Sequence, residues 1–355
     1  MDEIKKILVI QTAFIGDVVW TLPLISALKG IYSSAEIDVV VSPQCTKLLE
    51  NNPAVNRVYV LDKKKKGLLN SIRLIQQLRS VGYDLSIAPH SSLRSGLIVF
   101  FSKIKTRLGF KRNFQRFLLT QSIVFPKKIH KISKFLTLLH ILPVPHYPEL
   151  DPSKLEPNYL FPSKEENDKA LRLIDSFNQK NGSFKPIIVI VPGSLWFTKK
   201  WPLEKYVQLS KELIKNDYLI ILAGSYVERG MCDYISQCVT KAYPEKSECI
   251  RNIAGNFNLL EFAAVVKKAQ LVLCNDSGSL HLSNAVGTPV FAFYGPTERS
   301  VGSFPYREFD HVFEVDIPCR PCGTHGGHKC SRGHFNCMML IEVDTVLDKV
   351  NRFFV

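Results

Sequence analysis

Short, uninterrupted apolar runs alternate with amphipathic stretches along this chain. Lys6–Gln11, Glu36–Ser42, Val58–Leu61 and Asp84–Ala88 read as strands, and so do Pro186–Val191, Tyr218–Ala223, Gln270–Cys274 and Val290–Tyr294. Apolar runs of this length, bounded by turn residues, are what strands covered on both faces look like. Val18–Lys29 (with Pro23 inside it), Leu68–Ser80, Lys164–Asn178, Leu203–Lys215, Leu259–Lys268, Ser279–Val286 and Val343–Phe354 carry helical patterns. Alternating strands and helices predict an α/β protein with doubly wound parallel sheets. Prolines 143, 145, 148, 152, 157 and 162 crowd one segment and break both periodicities, which places a domain boundary there. The predicted organisation is a domain over 1–150, a Pro-rich linker and helix over 151–180, a second domain over 181–340 and a terminal helix over 341–355.

Composition changes the picture mainly through charge. The 355 residues carry a formal net charge of +14. Residues 1–150 hold 22 Lys+Arg against 9 Asp+Glu, while the remainder holds 24 against 23. Between Lys63 and Lys134 there are 17 basic residues and one acid, Asp84. A field this one-sided asks for an anionic partner: nucleic acid, an anionic membrane, or a phosphorylated or carboxylated substrate. No nucleic-acid-binding signature accompanies it. The start MDEIKKILVIQ lacks the pattern of a signal peptide, and no apolar run reaches the roughly 18 residues of a membrane span. Nine cysteines in that setting read as reduced thiols in the cytosol.

The richest stretch is NDSGSLHLSNAVGTPVFAFYGPT, residues 275–297. It reads as strand end, turn, short helix closed by Gly287 and Pro289, then the next strand. Ligands of open α/β sheets bind at carboxyl ends of strands, and a helix N-terminus suits phosphate. Asp276 repels phosphate, so it suits sugar hydroxyls beside the phosphates, or it simply caps the helix. Thr12–Asp17 reads as a loop whose tight point is Gly16. Gly96–Phe101, GLIVFF, reads as a core helix rather than a lipid-facing one.

Three blocks resemble the heptosyltransferases of lipopolysaccharide core synthesis, glycosyltransferase family 9: IGDVVWTLP at 15–23, PGSLWFTKKWP at 192–202, and the 275–297 stretch. Their order and spacing cover nearly the whole chain. The resemblance implies a GT-B fold, two Rossmann-like doubly wound domains facing a central cleft. It implies inverting, metal-independent transfer of L-glycero-D-manno-heptose from ADP-heptose to Kdo or heptose on lipid A. In the family the Asp of the IGD loop faces the acceptor hydroxyl, which makes Asp17 the candidate general base; the alternative is that Asp17 caps the following helix. Lys199 matches the family lysine before Trp-Pro and would meet the charge developing on the leaving ADP, with Lys200 adjacent. Ser194, Thr198, Gly224, Ser277, Gly278 and Ser279 are candidates for the diphosphate and nucleoside, Asp276 for heptose hydroxyls, and His281 for either a ligand contact or core packing.

Arg94, Arg107, Arg112 and His130 in the basic half are the candidate acceptor-binding residues, with Lys111 and Arg116 nearby, because guanidinium forks suit carboxylate and phosphate. The expected setting is a cytoplasmic monomer bound peripherally to the anionic inner face of the inner membrane, with no nucleic acid as partner. Two other classes stand beside this: another GT-B enzyme such as a sugar-nucleotide epimerase, and a non-catalytic membrane-associated sugar-nucleotide-binding protein. The two halves are expected to close over substrate, hinged at 142–162 and at the last helix returning towards the first domain. Cys319, Cys322, Cys330 and Cys337 fall within 19 residues, with His325, His328 and His334 among them. Three readings stand for this segment: thiols packed in a loop, a tetrahedral structural zinc site, or disulfides.

Overall fold

A computed structural model describes residues 4–63, 67–112, 114–142, 151–181, 185–323 and 325–355. They form two compact units, one ending at Phe161 and the other spanning Pro162–Val355. Pro143, Pro145 and Pro148 lie outside the described residues, as do Lys64–Lys66.

The first unit runs β1 (Lys6–Gln11), α1 (Ile15–Ile31), β2 (Glu36–Val41), β3 (Arg57–Val60), α2 (Gly67–Val81), β4 (Leu85–Ala88), α3 (Leu93–Phe101), β5 (Thr106–Phe110), β6 (Gln121–Ile123) and α4 (Lys131–Leu136). Its sheet has the order β3-β2-β1-β4-β5-β6, parallel throughout. Ile7–Ile10 are fully buried because helices cover both faces of the sheet. The chain leaves β1 towards β2 on one side and later returns to place β4 on the other. That reversal opens a crevice at the carboxyl ends of β1 and β4, where such sheets take ligands.

The second unit repeats the plan. It runs α5 (Lys164–Asn181), β7 (Ile187–Val191), α6 (Leu203–Lys215), β8 (Leu219–Leu222), α7 (Arg229–Ala242), β9 (Ile250–Asn252), α8 (Leu259–Val266), β10 (Leu271–Asn275), α9 (Gly278–Val286), β11 (Val290–Phe293), β12 (His311–Phe313), α10 (Asn336–Met339) and α11 (Val343–Phe353). The order β12-β11-β10-β7-β8-β9 is the same topology, with its switch between β7 and β10. Trp201 anchors this core: its ring stacks on Phe293 at 4.4 Å, and its indole N–H donates to the Ile341 carbonyl at 3.1 Å.

Several expectations need correction. The first helix begins at Ile15 rather than Val18, so Gly16 and Asp17 sit in its first turn and not in a loop. The helix at 164–181 belongs to the second unit, where Lys169 pairs with Glu261 at 2.9 Å. The terminal helix also stays in that unit: Lys205 pairs with Glu342 at 2.8 Å and Tyr218 meets Asn351 at 3.3 Å. On α3, Ser95, Gly96, Ile98 and Val99 are buried, but Leu93, Leu97, Phe100 and Phe101 are exposed, so GLIVFF is not wholly core.

Candidate functional site

The two switch points carry the residues of interest, and each is built from its own unit. In the first, β1 ends at Gln11 and α1 starts four residues later. The Gln11 amide donates to the Thr21 hydroxyl at 3.1 Å, and that hydroxyl donates to the Asp17 carbonyl at 2.7 Å, which fixes the first turns of α1 against the strand end. The Asp17 carboxylate accepts the Phe14 N–H at 3.3 Å through one oxygen. Its other oxygen lies 3.5 Å from the Lys131 ammonium, which itself sits over the Trp20 ring at 5.0 Å. Asp17 therefore caps its helix and also turns a partly accessible oxygen towards a cation.

Further cations converge from several elements. Lys63 donates to the Thr12 carbonyl at 2.8 Å, and burial together with nearby Arg94 lowers its pKa. Burial pushes the His90 imidazole down, with Asp17 acting in the opposite sense and Lys63, Lys131 and Arg112 in the same one. Lys134 is lowered by burial and by Lys131 and Arg112. The switch point thus presents one carboxylate amid Lys63, His90, Arg94, Arg112, Lys131 and Lys134. Of these, Lys63, His90, Lys131 and Lys134 were not singled out by the sequence; their only signal was membership of the basic run.

Two candidate acceptor residues also bond within the chain. The Arg107 fork donates to the Ile104 carbonyl at 2.6 Å and the Leu118 carbonyl at 2.7 Å, and lies over Phe100 at 5.4 Å. His130 is buried at the start of α4, where Nδ1 accepts the Ile132 N–H at 3.2 Å and the ring meets Trp20 edge-on. Lys111 and Arg116 are exposed, Arg116 on the turn Phe114–Leu118.

In the second unit, Asn275 ends β10 fully buried and holds two loops at once. Its amide donates to the carbonyls of Pro192 at 2.8 Å and Gly193 at 3.1 Å, and its oxygen accepts from Trp201 N–H at 2.9 Å and the Tyr206 hydroxyl at 3.1 Å. Beside it, one Asp276 oxygen accepts from the Lys199 ammonium at 2.5 Å and the Thr297 hydroxyl at 2.7 Å. Both charged groups are nine-tenths buried. Lys199 is thus the inward lysine, while Lys200 is half-buried at the end of the turn Phe197–Lys199. α9 starts at Gly278 after an extended Ser277 with no side-chain cap on its first N–H groups; the Ser277 and Ser279 hydroxyls lie 2.7 Å apart. Ser194, on the 192–201 loop, and His281, within α9, are both buried.

Thr198 bonds within the chain. It is clamped by Gly327, whose N–H donates to the hydroxyl at 2.8 Å and whose carbonyl accepts the Thr198 N–H at 3.1 Å. The same segment secures the opposite loop: Arg320 donates to the carbonyls of Gly295 at 2.6 Å and Thr297 at 2.9 Å. The Cys-rich stretch is thus a strap across the two loops that carry Lys199 and Thr297. Its four cysteines are free thiols, and among the described residues no three His, Cys, Asp or Glu side chains are placed to hold a metal ion. The thiols nonetheless lie near one another: burial raises the pKa of Cys322 and Cys337, and the neighbouring cysteines of the set act in the same sense. Cys319 lies near His334 at 3.9 Å, Cys322 donates to the Cys319 carbonyl at 3.1 Å, and Cys337 is buried.

Glu228, unmarked in the sequence, follows β8. Its carboxylate accepts the Ser225 N–H at 2.7 Å and hydroxyl at 2.8 Å. A Cβ at Gly193 would overlap this carboxylate, and one at Gly224 would come within 3.1 Å of it, which explains glycine at both positions. Among the described residues no helix is long and apolar enough to cross a membrane.

Residues 71–328 match glycosyltransferase family 9 (heptosyltransferase). The lipooligosaccharide heptosyltransferase 2 of Haemophilus influenzae is 30% identical over 297 residues, 82% of this chain and 84% of that protein. The solved Escherichia coli ADP-heptose lps heptosyltransferase II superposes with a TM-score of 0.77 at 25% identity, over 98% of each chain. An Escherichia coli heptosyltransferase WaaC solved with ADP-2-deoxy-2-fluoro heptose shares the fold, with a TM-score of 0.73 at 16% identity over 98% of this chain and 99% of that one. The twin sheets are those of GT-B heptosyltransferases, and the chain belongs to glycosyltransferase family 9, the heptosyltransferases.

Proposed function

We propose that this chain transfers L-glycero-D-manno-heptose from ADP-heptose, with inversion, to the inner core of lipopolysaccharide, using an acceptor that already bears the first heptose. The relatives called heptosyltransferase 2 favour that position. The observation that carries the reading is the buried Lys199–Asp276–Thr297 constellation at the carboxyl end of β10.

An ammonium has three donors, and Asp276 takes one. On this reading another meets the diphosphate of the donor, and the uncapped start of α9 with Ser277, Gly278, Ser279 and Ser194 receives the remaining phosphate oxygens. Asp276, neutralised by Lys199 and Thr297, can lie beside a diphosphate without repelling it and accept from heptose hydroxyls. Glu228 occupies the place after the second strand of the fold where an acid takes ribose hydroxyls. As the glycosidic bond breaks, negative charge grows on ADP and Lys199 stabilises it. Asp17 accepts the proton of the attacking hydroxyl. Lys63, Arg94, Arg112 and Lys131 bind the carboxylates and phosphates of the core. The reaction so written uses the chain's own charges and asks for no metal ion. It is carried out by a monomer on the cytoplasmic face of the inner membrane, where the lipid-anchored acceptor lies.

The test is ADP release from ADP-heptose with and without Kdo–lipid A bearing one heptose. Release that depends on acceptor supports the proposal. Equal turnover of the nucleotide sugar without acceptor would instead indicate an epimerase, and no turnover with intact ADP-heptose binding would indicate a binding protein.

A further inference from the structure

The outer face of α3 is apolar. Leu93, Leu97, Phe100 and Phe101 follow the spacing i, i+4, i+7, i+8 and are all exposed, while the opposite face of the helix is buried. The turn Phe114–Leu118 packs directly on this helix: a Cβ at Gly96 would meet Leu118 Cδ1 at 2.9 Å and Gln115 Cγ at 3.0 Å. That turn adds Phe114 and Phe117, 74% and 67% exposed. Six large apolar side chains are therefore exposed on two elements that pack against each other, where a water-facing surface normally carries polar residues.

Its surroundings are cationic. Residues 85–134 hold eleven Lys and Arg and no Asp or Glu. Lys103 and Lys105 follow α3 and are exposed, and the Arg116 guanidinium lies over the Phe117 ring at 4.6 Å. Interface cores between proteins are depleted in lysine, and a second copy of this face would bring like charges together. Exposed phenylalanine and leucine framed by lysine and arginine is instead the composition of surfaces that lie at the headgroup–acyl boundary.

We propose that α3 and the turn Phe114–Leu118 dock the protein on an anionic phospholipid bilayer. The phenylalanines enter the acyl boundary, and Lys103, Lys105 and Arg116 meet the headgroups. This rests on the lipid-anchored acceptor proposed above and supplies the surface that holds the enzyme near it. None of these side chains belongs to the Asp17 or Lys199 sites.

The experiment is flotation of the full chain with phosphatidylglycerol/phosphatidylcholine vesicles and with phosphatidylcholine vesicles alone. Wild type is expected to float with the anionic vesicles, and more weakly as salt rises. Each buried phenylalanine contributes on the order of tenfold in partitioning, so Phe101→Ser/Phe114→Ser/Phe117→Ser should bind at least about a hundredfold more weakly. Lys103→Glu/Lys105→Glu should lose binding to the anionic vesicles only. Turnover on a deacylated, water-soluble acceptor should match wild type in the triple variant, while turnover on vesicle-embedded acceptor falls. Wild type that fails to float, a triple variant that floats equally, or a triple variant altered in light-scattering mass but not in flotation would overturn the docking surface. Loss of transfer chemistry with flotation intact would strike only the functional reading.

Discussion

Lys199 and Asp276 stand 77 positions apart and share a hydrogen bond of 2.5 Å in a buried site. Removing one partner of such a pair leaves the other charged and desolvated, which costs about 3–5 kcal/mol. Lys199→Met should lower unfolding stability by about that amount and turnover by about 10²–10³-fold. Lys199→Met/Asp276→Leu should regain most of the stability in urea denaturation but none of the activity. If the double variant is as unstable as the sum of the singles, the pair is not coupled as described. Both residues are legible in the sequence, yet as separate contacts, since nothing local says that a lysine before Trp-Pro reaches a carboxylate at the end of β10, the strand that pairs with β7. Asn275 was hidden for a similar reason: its amide ties Pro192, Gly193, Trp201 and Tyr206 together, but alone it reads as a turn residue. Glu228 carries no pattern at all, and Lys131 only its place in the basic run, because their meaning comes from what lies opposite them.

Among elements, the strap over residues 319–337 has the clearest consequence. A Cβ at Gly326 would approach Trp196 Cβ to 2.5 Å and Lys199 Cγ to 3.0 Å. Gly326→Ala should therefore displace the 196–199 turn, lowering kcat while circular dichroism stays native; unchanged kinetics would show that the strap does not position Lys199. A second device lies at the start of β12. Burial pushes the Asp310 carboxyl up to about 6, although it accepts from Arg307 N–H, Val290 N–H and the Asn284 amide. A folded pKa above the unfolded value means that stability from this group is present below about pH 4 and is lost as pH rises through 6. The effect is at most about 3 kcal/mol. The difference in unfolding free energy between wild type and Asp310→Asn, followed from pH 4 to 7, should change in that sense; a flat difference would contradict it. The long, fully covered strands and their helices follow directly from apolar runs. β6, β9 and β12 have three residues each, too few for a pattern to rise above the surrounding loops, and they exist because a neighbouring strand offers its edge.

At the scale of the molecule, two units of one topology divide the labour of charge. The first concentrates cations around Asp17, and the second is nearly neutral with a buried ion pair at the matching switch point. The doubled plan was readable from the alternation of elements, and the family from three blocks in order. Which cations gather around Asp17 was not, because a basic run does not say which of its members lie near one carboxylate. The account stands or falls on Asp17 as the base. Transfer of heptose from ADP-heptose by Asp17→Asn, measured in single turnover beside calorimetric ADP binding, tests it most directly. The prediction is a rate about 10²–10⁴-fold below wild type with ADP affinity unchanged. A variant that transfers heptose at near the wild-type rate would contradict it.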